Sequence, residues 1–271
     1  MAAFRQIRED KPGSLESMTA PVNQTTPQKV DSRCGRFVTW LRHDAIRLLW
    51  PGRCLACAAP GENGRDLCAA CRAALPWHGP ACERCALPLP APNPAETALC
   101  GTCLQRPPPL AQTHAACTYR APLDRLLPRF KFHHDLAAGR LLSQMMVEAF
   151  SPLSRPDALI PIPLHRARLR RRGYDQALEL ARPLADALAI PLLDDALLRP
   201  RATAPQSRLD AAGRQRNLRG AFTVRPGADL PAHVVLVDDV MTTGATLHAA
   251  AIVLRRAGAA RVDAWVAARV P

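Results

Sequence analysis

The chain has 271 residues, of which 48 % are hydrophobic, and a formal net charge of +13. That length accommodates one α/β domain and a smaller module, with enough apolar material for a core without disulfides. No run of about 18 apolar residues is present, which argues against a helical membrane span, and the first ten residues carry acids and no apolar stretch, so a secretory leader is not expected and a cytoplasmic location is. Eight thiolates holding two Zn²⁺ ions would lower the charge to about +9. The balance still favours anionic partners such as nucleotides or nucleic acid. Thirty-three of the 36 basic residues are Arg, beside abundant Ala, Leu and Pro. A GC-rich genome gives the same bias, so charge alone does not assign DNA binding.

Residues 1–36 are polar and aperiodic and read as a disordered tail. Across residues 37–52, apolar Phe37, Val38, Leu41, Ala45, Leu48 and Leu49 fit one face of an amphipathic helix that stops at Pro51-Gly52. Residues 53–104 hold eight of the ten cysteines and few large apolar residues, too few for a core of their own. They form four Cys-x-x-Cys pairs: Cys54/Cys57, Cys68/Cys71, Cys82/Cys85 and Cys100/Cys103. Each pair puts two thiolates on one tight knuckle, and two knuckles complete a tetrahedral Cys₄ site. Two structural Zn²⁺ ions are therefore expected, their binding replacing the missing core as the source of folding energy. Sequential sites are favoured over a cross-braced arrangement because short loops close cheaply. Disulfides would need an oxidising compartment, and an iron–sulfur cluster would use the same ligands. Cys117 reads as a small core residue and Cys34 as incidental.

Residues 105–114 read as a Pro-rich linker. From residue 115 the pattern becomes α/β. A helix is predicted over Leu136–Phe150 with Asp135 as its cap, a strand over Ala158–Ile162, and a helix over Tyr174–Leu188 that Pro183 should kink or shorten. Residues 199–220 are polar and Arg-rich and read as a long functional loop. Further strands are predicted over residues 221–224, 234–237 and 261–267. Alternating strands and helices imply a parallel sheet with helices on both faces.

Residues 234–247 carry the sharpest functional signal. Four apolar residues, Val234 to Val237, read as a strand buried on both faces. Asp238 and Asp239 follow at its carboxyl end, then the small, hydroxyl-rich turn Thr242-Thr243-Gly244-Ala245-Thr246, then a helix. Such a turn lets backbone N–H groups converge on an anion, with the helix dipole assisting. Carboxylates beside it suit a ribose diol or a Mg²⁺ ion. The arrangement fits a ligand with both a phosphate and sugar hydroxyls. No P-loop exists: the three lysines are Lys11, Lys29 and Lys131, and none sits in such a motif. A second candidate lies after the strand at 158–162, where Arg168, Arg170, Arg171 and Arg172 can neutralise a pyrophosphate and Gly173 allows close backbone approach.

The acidic pair followed by T-T-G-x-T resembles the phosphoribosyl-pyrophosphate signature of type I phosphoribosyltransferases. With the paired cysteine knuckles, the chain resembles the ComF family, a double zinc ribbon in front of a type I phosphoribosyltransferase-like domain. The stretches Leu127 to His133 around Lys131, Pro161-Ile162-Pro163-Leu164-His165, Arg168 to Gln176, Arg199 to Gln206 and Arg214 to Phe222 resemble further family motifs. Two departures occur: Tyr174 stands for Phe and Asp175 for Asn. An added charge at Asp175 would weaken a pyrophosphate contact unless Arg171 or Arg172 pairs with it. The resemblance implies that Asp238 and Asp239 are catalytic acids on the ribose hydroxyls, and that Met241, Thr242, Thr243, Gly244, Ala245 and Thr246 hold the 5′-phosphate. It makes Pro163, Leu164, His165, Arg168, Arg171, Arg172 and Gly173 the pyrophosphate loop. It makes Arg199, Thr203, Gln206, Arg214 and Asn217 part of a mobile loop that closes over substrate. The implied cofactors are two Zn²⁺ and Mg²⁺. The implied partners are phosphoribosyl pyrophosphate or a nucleotide, single-stranded DNA, and proteins of the competence machinery. Two readings stay open: an active phosphoribosyltransferase, and a non-catalytic DNA-binding or interaction protein that keeps the site for binding. Arg65, Arg72, Trp77 and Arg84 would then supply ribbon contacts to DNA. His133, His134 and His165 are candidates for acid–base work.

Overall fold

The computed structural model describes residues 52–90, 98–201 and 220–271. The helix expected over 37–52, the tail before it, and Thr203, Gln206, Arg214 and Asn217 lie outside them. The described elements are α1 (Ala69–Ala73), α2 (Gly101–Gln105), β1 (Thr113–Thr118), α3 (Leu123–Phe132), α4 (Leu136–Phe150), β2 (Ala158–Pro161), α5 (Arg166–Arg172), α6 (Gln176–Leu188), β3 (Leu197–Leu198), β4 (Thr223–Val224), β5 (His233–Met241), α7 (Ala245–Arg256) and β6 (Arg261–Arg269).

Four strands form one parallel sheet in the order β1-β6-β5-β2, as the alternation of elements implied. Successive side chains of β5 point to opposite faces. Val235 and Val237 join Trp265 under α3, α4 and α6, where Phe130, Leu142, Met146 and Leu180 are fully buried. Val234 and Leu236 face α7 through Leu247, Ala251 and Leu254, and on that side Leu197 of β3 and Phe222 before β4 complete the core. Helix α4 starts where predicted, with the Asp135 side chain accepting from Ala138 N–H at 3.0 Å. Gly139 lets α3 lie close on α4, since a Cβ there would stand 2.4 Å from the Phe130 ring. No helix among the described residues is long and apolar enough to cross a membrane.

Several expectations need correction. Strand β5 runs on to Met241, so Asp238 and Asp239 lie inside it. Pairing with β6 holds it extended there, although pairing with β2 ends at Val237. Pro183 does not shorten α6, which continues to Leu188. The proline is exposed, while Leu180, Ala181, Leu184 and Ala185 are buried and hold the helix on the core. Residues 166–172 form a short helix rather than open loop, capped by His165 and ended by Gly173 at φ +80°. Strand β1 starts at Thr113, ahead of the expected boundary at 115, and α3 was not foreseen, having Pro128 inside it.

The cysteine-rich segment is continuous with the α/β core. Cys54, Leu67 and Leu75 are buried in the same cluster as Phe130 and Leu142. Between the two knuckle pairs, Trp77 bridges to Cys117 in antiparallel fashion, with His78 N–H donating to Ala116 C=O and Thr118 N–H to Pro76 C=O. This covers the free edge of β1, which would otherwise present unpaired backbone groups. Glu148 of α4 takes ion pairs from both Arg65 and Arg72. Such partly exposed pairs contribute about 0–1 kcal/mol each, whereas burying a leucine contributes about 1.5–3 kcal/mol. Apolar contact, not charge, therefore dominates the attachment. Leu75→Ala is expected to cost about 2–5 kcal/mol, and to shift the single urea transition of the α/β helices followed by circular dichroism. A helical transition left at the wild-type midpoint would mean that the two parts fold separately.

Candidate phosphoribosyl site and zinc sites

The parallel sheet places a cavity of about 590 Å³ beyond the carboxyl ends of its strands. This is where ligands bind in open α/β sheets. Ile162 and Leu164 after β2, Asp238 and Asp239 of β5, Thr242 and Thr246 at the entry to α7, and Tyr119 and Val270 beyond β1 and β6 all line it. Lys131, Arg168, Arg171, Arg172 and Arg199 supply five cations against the carboxylates of Asp175, Asp238 and Asp239. The surplus suits a polyanion.

The two acids differ. Asp239 is 5 % exposed and accepts an ion pair from Lys131 Nζ at 2.7 Å. Burial works against the lysine's charge, but Asp239 and then Asp238 hold its pKa above the ordinary value. Asp238 accepts from Asp239 N–H at 2.8 Å and faces the cavity. Burial, then the neighbouring Asp239 charge, push its pKa up to about 7. Folding alone thus leaves Asp238 short of a cation or hydroxyl donors. Asp175, the residue that departs from the family pattern, is occupied by backbone: it accepts from Leu164 N–H at 2.7 Å, Ala177 N–H at 3.1 Å and Leu178 N–H at 3.3 Å. It caps α6 and pins the start of the arginine segment, so no arginine partner is required.

Of the arginine segment, Leu164, Arg168, Arg171 and Arg172 line the cavity, whereas Pro163, His165, Gly173 and Arg170 do not. His165 caps α5, accepting from Ala167 N–H at 3.2 Å. Arg172 bonds Gln176 and lies 5.5 Å over the Phe132 ring. Arg199 is 7 % exposed and sits 5.1 Å over Phe222; burial, then Arg168, lower its pKa to about 10. In the phosphate turn Thr242 and Thr246 line the cavity, and Met241 is buried beneath it. Thr243, Gly244 and Ala245 form the turn without lining the cavity. Gly244 has φ +76°, and a Cβ there would stand 2.4 Å from Met241 Cε. Glycine takes up that backbone without the strain a side chain would add. None of His133, His134 and His165 lines the cavity. Sequence reasoning quoted Lys131 in a motif but gave it no role, although a lone lysine in an arginine-rich domain is a usable signal. Phe132 and Gln176 lie in stretches that resemble family motifs, whereas Tyr119 carried no signal.

The cysteines gather sequentially. Cys54, Cys57, Cys68 and Cys71 form one group and Cys82, Cys85, Cys100 and Cys103 the other, with all ligand atoms of a group within 4.8 Å of one another. A tetrahedral Zn–S length of about 2.3 Å requires S···S edges of about 3.8 Å. Cys57–Cys68 and Cys85–Cys100 are each 3.7 Å apart. The donor set and spacing fit structural Zn²⁺. Burial pushes the Cys54 thiol up, but N–H groups of Cys68, Ala56 and Cys57 bring it down to about 6. Cys117 is a buried core thiol pushed up to about 12 by burial.

The ribbon residues expected to meet DNA are largely committed elsewhere. Arg65 and Arg72 pair with Glu148, and the partly buried Trp77 donates to Arg72 C=O at 3.3 Å.

Residues 45–104 match the double zinc ribbon domain family and residues 175–271 the phosphoribosyl transferase domain family. The chain is 37 % identical to DNA utilization protein YhgH of Salmonella typhimurium, over 81 % of this chain and 97 % of that one. The chain belongs to the ComF family. Competence protein F of Haemophilus influenzae is 36 % identical over 63 % of this chain and 78 % of its own, and competence protein ComFC of Streptococcus pneumoniae 26 % identical over 56 % and 65 %. In this ComF protein Arg269, at the end of β6 and 8 % exposed, adds a polar contact between the two parts. Its Nε donates to Cys85 C=O at 2.8 Å, and its Nη1 reaches Met241 C=O at 3.4 Å, the residue that opens the phosphate turn. Burial lowers its pKa, while Cys85, Cys100 and Cys103 favour its charge. With a metal bound, the four thiolates would carry excess negative charge close to this buried cation. Arg269→Leu is expected to release one of two zinc equivalents at least about tenfold faster to a chelator, and to raise amide exchange at 241–244. Unchanged release and exchange would show the contact to be incidental.

Proposed function

We propose that this ComF protein binds phosphoribosyl pyrophosphate with Mg²⁺ and serves DNA utilization through that site. The observation that carries the proposal is the pairing of a cation-rich cavity with Asp238, a carboxylate facing that cavity whose charge the fold itself disfavours. Thr242, Thr246 and the N–H groups at the start of α7 suit the 5′-phosphate. Arg168, Arg171 and Arg172 suit the pyrophosphate, and the acids suit the ribose hydroxyls. Asp238 with a pyrophosphate offers the hard oxygen donors that Mg²⁺ prefers, and the ion would neutralise leaving-group charge. Within the protein, arginines positioned before reaction stabilise the departing pyrophosphate, and the acids favour positive charge at the ribose. Arg199, from the loop that precedes 202–219, helps exclude water.

One observation favours a non-catalytic reading: no histidine among the described residues lines the cavity to activate an acceptor. Pyrophosphate release from phosphoribosyl pyrophosphate, with and without a panel of bases, separates the two. Binding is tested by Asp238→Asn. A carboxyl raised to about 7 from 3.8 stabilises the fold in its neutral form, and that contribution is lost as pH rises from about 4 through 7. At pH 8 the Asn variant should therefore melt higher than wild type, yet bind Mg²⁺–phosphoribosyl pyrophosphate at least about tenfold more weakly. Wild-type affinity should rise more steeply between pH 6 and 8 than the variant's, whose remaining pH dependence comes from the ligand's own phosphates. Equal affinities by calorimetry would reject the assignment.

A further inference from the structure

Lys131 differs in kind from the four arginines that share its cavity. It stands on α3, where Leu123, Leu127 and Phe130 are buried and fix the backbone, while its own side chain is 31 % exposed. Its Nζ lies 2.7 Å from Asp239 Oδ2, and no ion pair among the described residues reaches Asp238. The acid pair thus holds two carboxylates and one built-in cation. A bare divalent ion is disfavoured there twice over. Lys131 already occupies Asp239, and Arg168, Arg171, Arg172 and Arg199 add their own repulsion. A polyphosphate removes both obstacles: it neutralises the arginines, brings hard oxygen donors, and offers the ammonium a second partner. An ammonium on a flexible four-carbon stem exchanges one oxygen for another more readily than a guanidinium set in a planar fork.

We propose that Lys131 makes metal binding conditional on the polyphosphate. It occupies Asp239 in the free protein and keeps a lone Mg²⁺ ion off the acid pair, and it passes to a phosphate oxygen when Mg²⁺ and a pyrophosphate-bearing ligand are present together. The inference rests on the reading of the cavity as a Mg²⁺–phosphoribosyl pyrophosphate site and adds to it the order of assembly. Such coupling is reciprocal, so the metal and the pyrophosphate each tighten the other on the protein.

The test uses the zinc-loaded full chain and calorimetry with Mg²⁺ alone and with inorganic pyrophosphate alone. Lys131→Met should bind Mg²⁺ alone at least about tenfold more tightly than wild type, and pyrophosphate alone more weakly. Lys131→Arg keeps a cation beside Asp239 and should keep Mg²⁺ binding weak. Zinc content and melting check the fold of both variants. Lys131→Met leaves a buried carboxylate without its partner, which endangers folding, so the wild type is followed as well. The chain has three lysines, so protein carrying ¹³C at lysine Cε gives three carbon signals, and Lys131→Arg identifies the one that belongs to Lys131. In wild type that signal should hold its place in Mg²⁺ alone and move when pyrophosphate is added with the metal. Mg²⁺ binding no tighter in Lys131→Met than in wild type, or a signal that moves fully in Mg²⁺ alone, would overturn the proposal. Phosphoribosyl pyrophosphate is titrated separately. If the wild type responds to Mg²⁺ with pyrophosphate as described but not to phosphoribosyl pyrophosphate, the functional reading fails and the exchange at Lys131 stands.

Discussion

Strand β5 outlasts its neighbour β2, and the cavity depends on that mismatch. Up to Val237 both of its edges are paired; from Asp238 to Met241 only β6 holds it. The gap beside β2 is where Asp238 and Asp239 meet the cavity, at the end of a strand buried on both faces. Two adjacent carboxylates in that setting repel each other and lose solvation. Lys131 answers for Asp239 at 2.7 Å, and Asp238 is left with its charge disfavoured. Stability and binding therefore pull in opposite directions at one residue. A cation or sugar hydroxyls would supply what folding does not, which is how a preorganised site differs from an optimised core.

The ribbons extend the fold and are not an appendage to it. They have too few apolar residues for a core, and the sheet has an open edge at β1. Each shortage answers the other: Leu67 and Leu75 enter the α/β core, and residues 76–78 cover the edge. Arg269 adds an electrostatic connection, since one buried cation touches both a zinc-ligand carbonyl and the carbonyl that opens the phosphate turn. The same side chain thus touches the backbone of both the second ribbon and the turn after β5.

The excess of arginine has a local meaning that composition does not convey. In the ribbon Arg65 and Arg72 are taken up by Glu148, in β6 Arg269 is buried, and in α5 Arg168, Arg171 and Arg172 line the cavity while Arg166 and Arg170 do not. The cavity thus gathers five cations against three carboxylates, a surplus of positive charge that suits an anion.

Legible in the sequence were the family, the parallel α/β class, the two groups of four cysteines, and the acid pair followed by a glycine turn. Each is a local pattern: knuckle spacing, an apolar strand, a glycine at φ +76°, a cap at Asp135 that opens α4 as predicted. What depends on residues far apart in the chain was decided only in three dimensions. The partners of Lys131, Glu148 and Arg269 are distant in sequence. The division of labour among Arg166 to Arg172 follows from a helix where the residue pattern suggested a loop. Strand β5 extends beyond its apolar run because β6 pairs with it through Met241↔Arg269, a long-range constraint that overrides the local expectation of a turn after two acids. Helix α3 was missed for a related reason. Pro128 argues locally against it, and the burial of Leu123, Leu126, Leu127 and Phe130 against the core holds it in place.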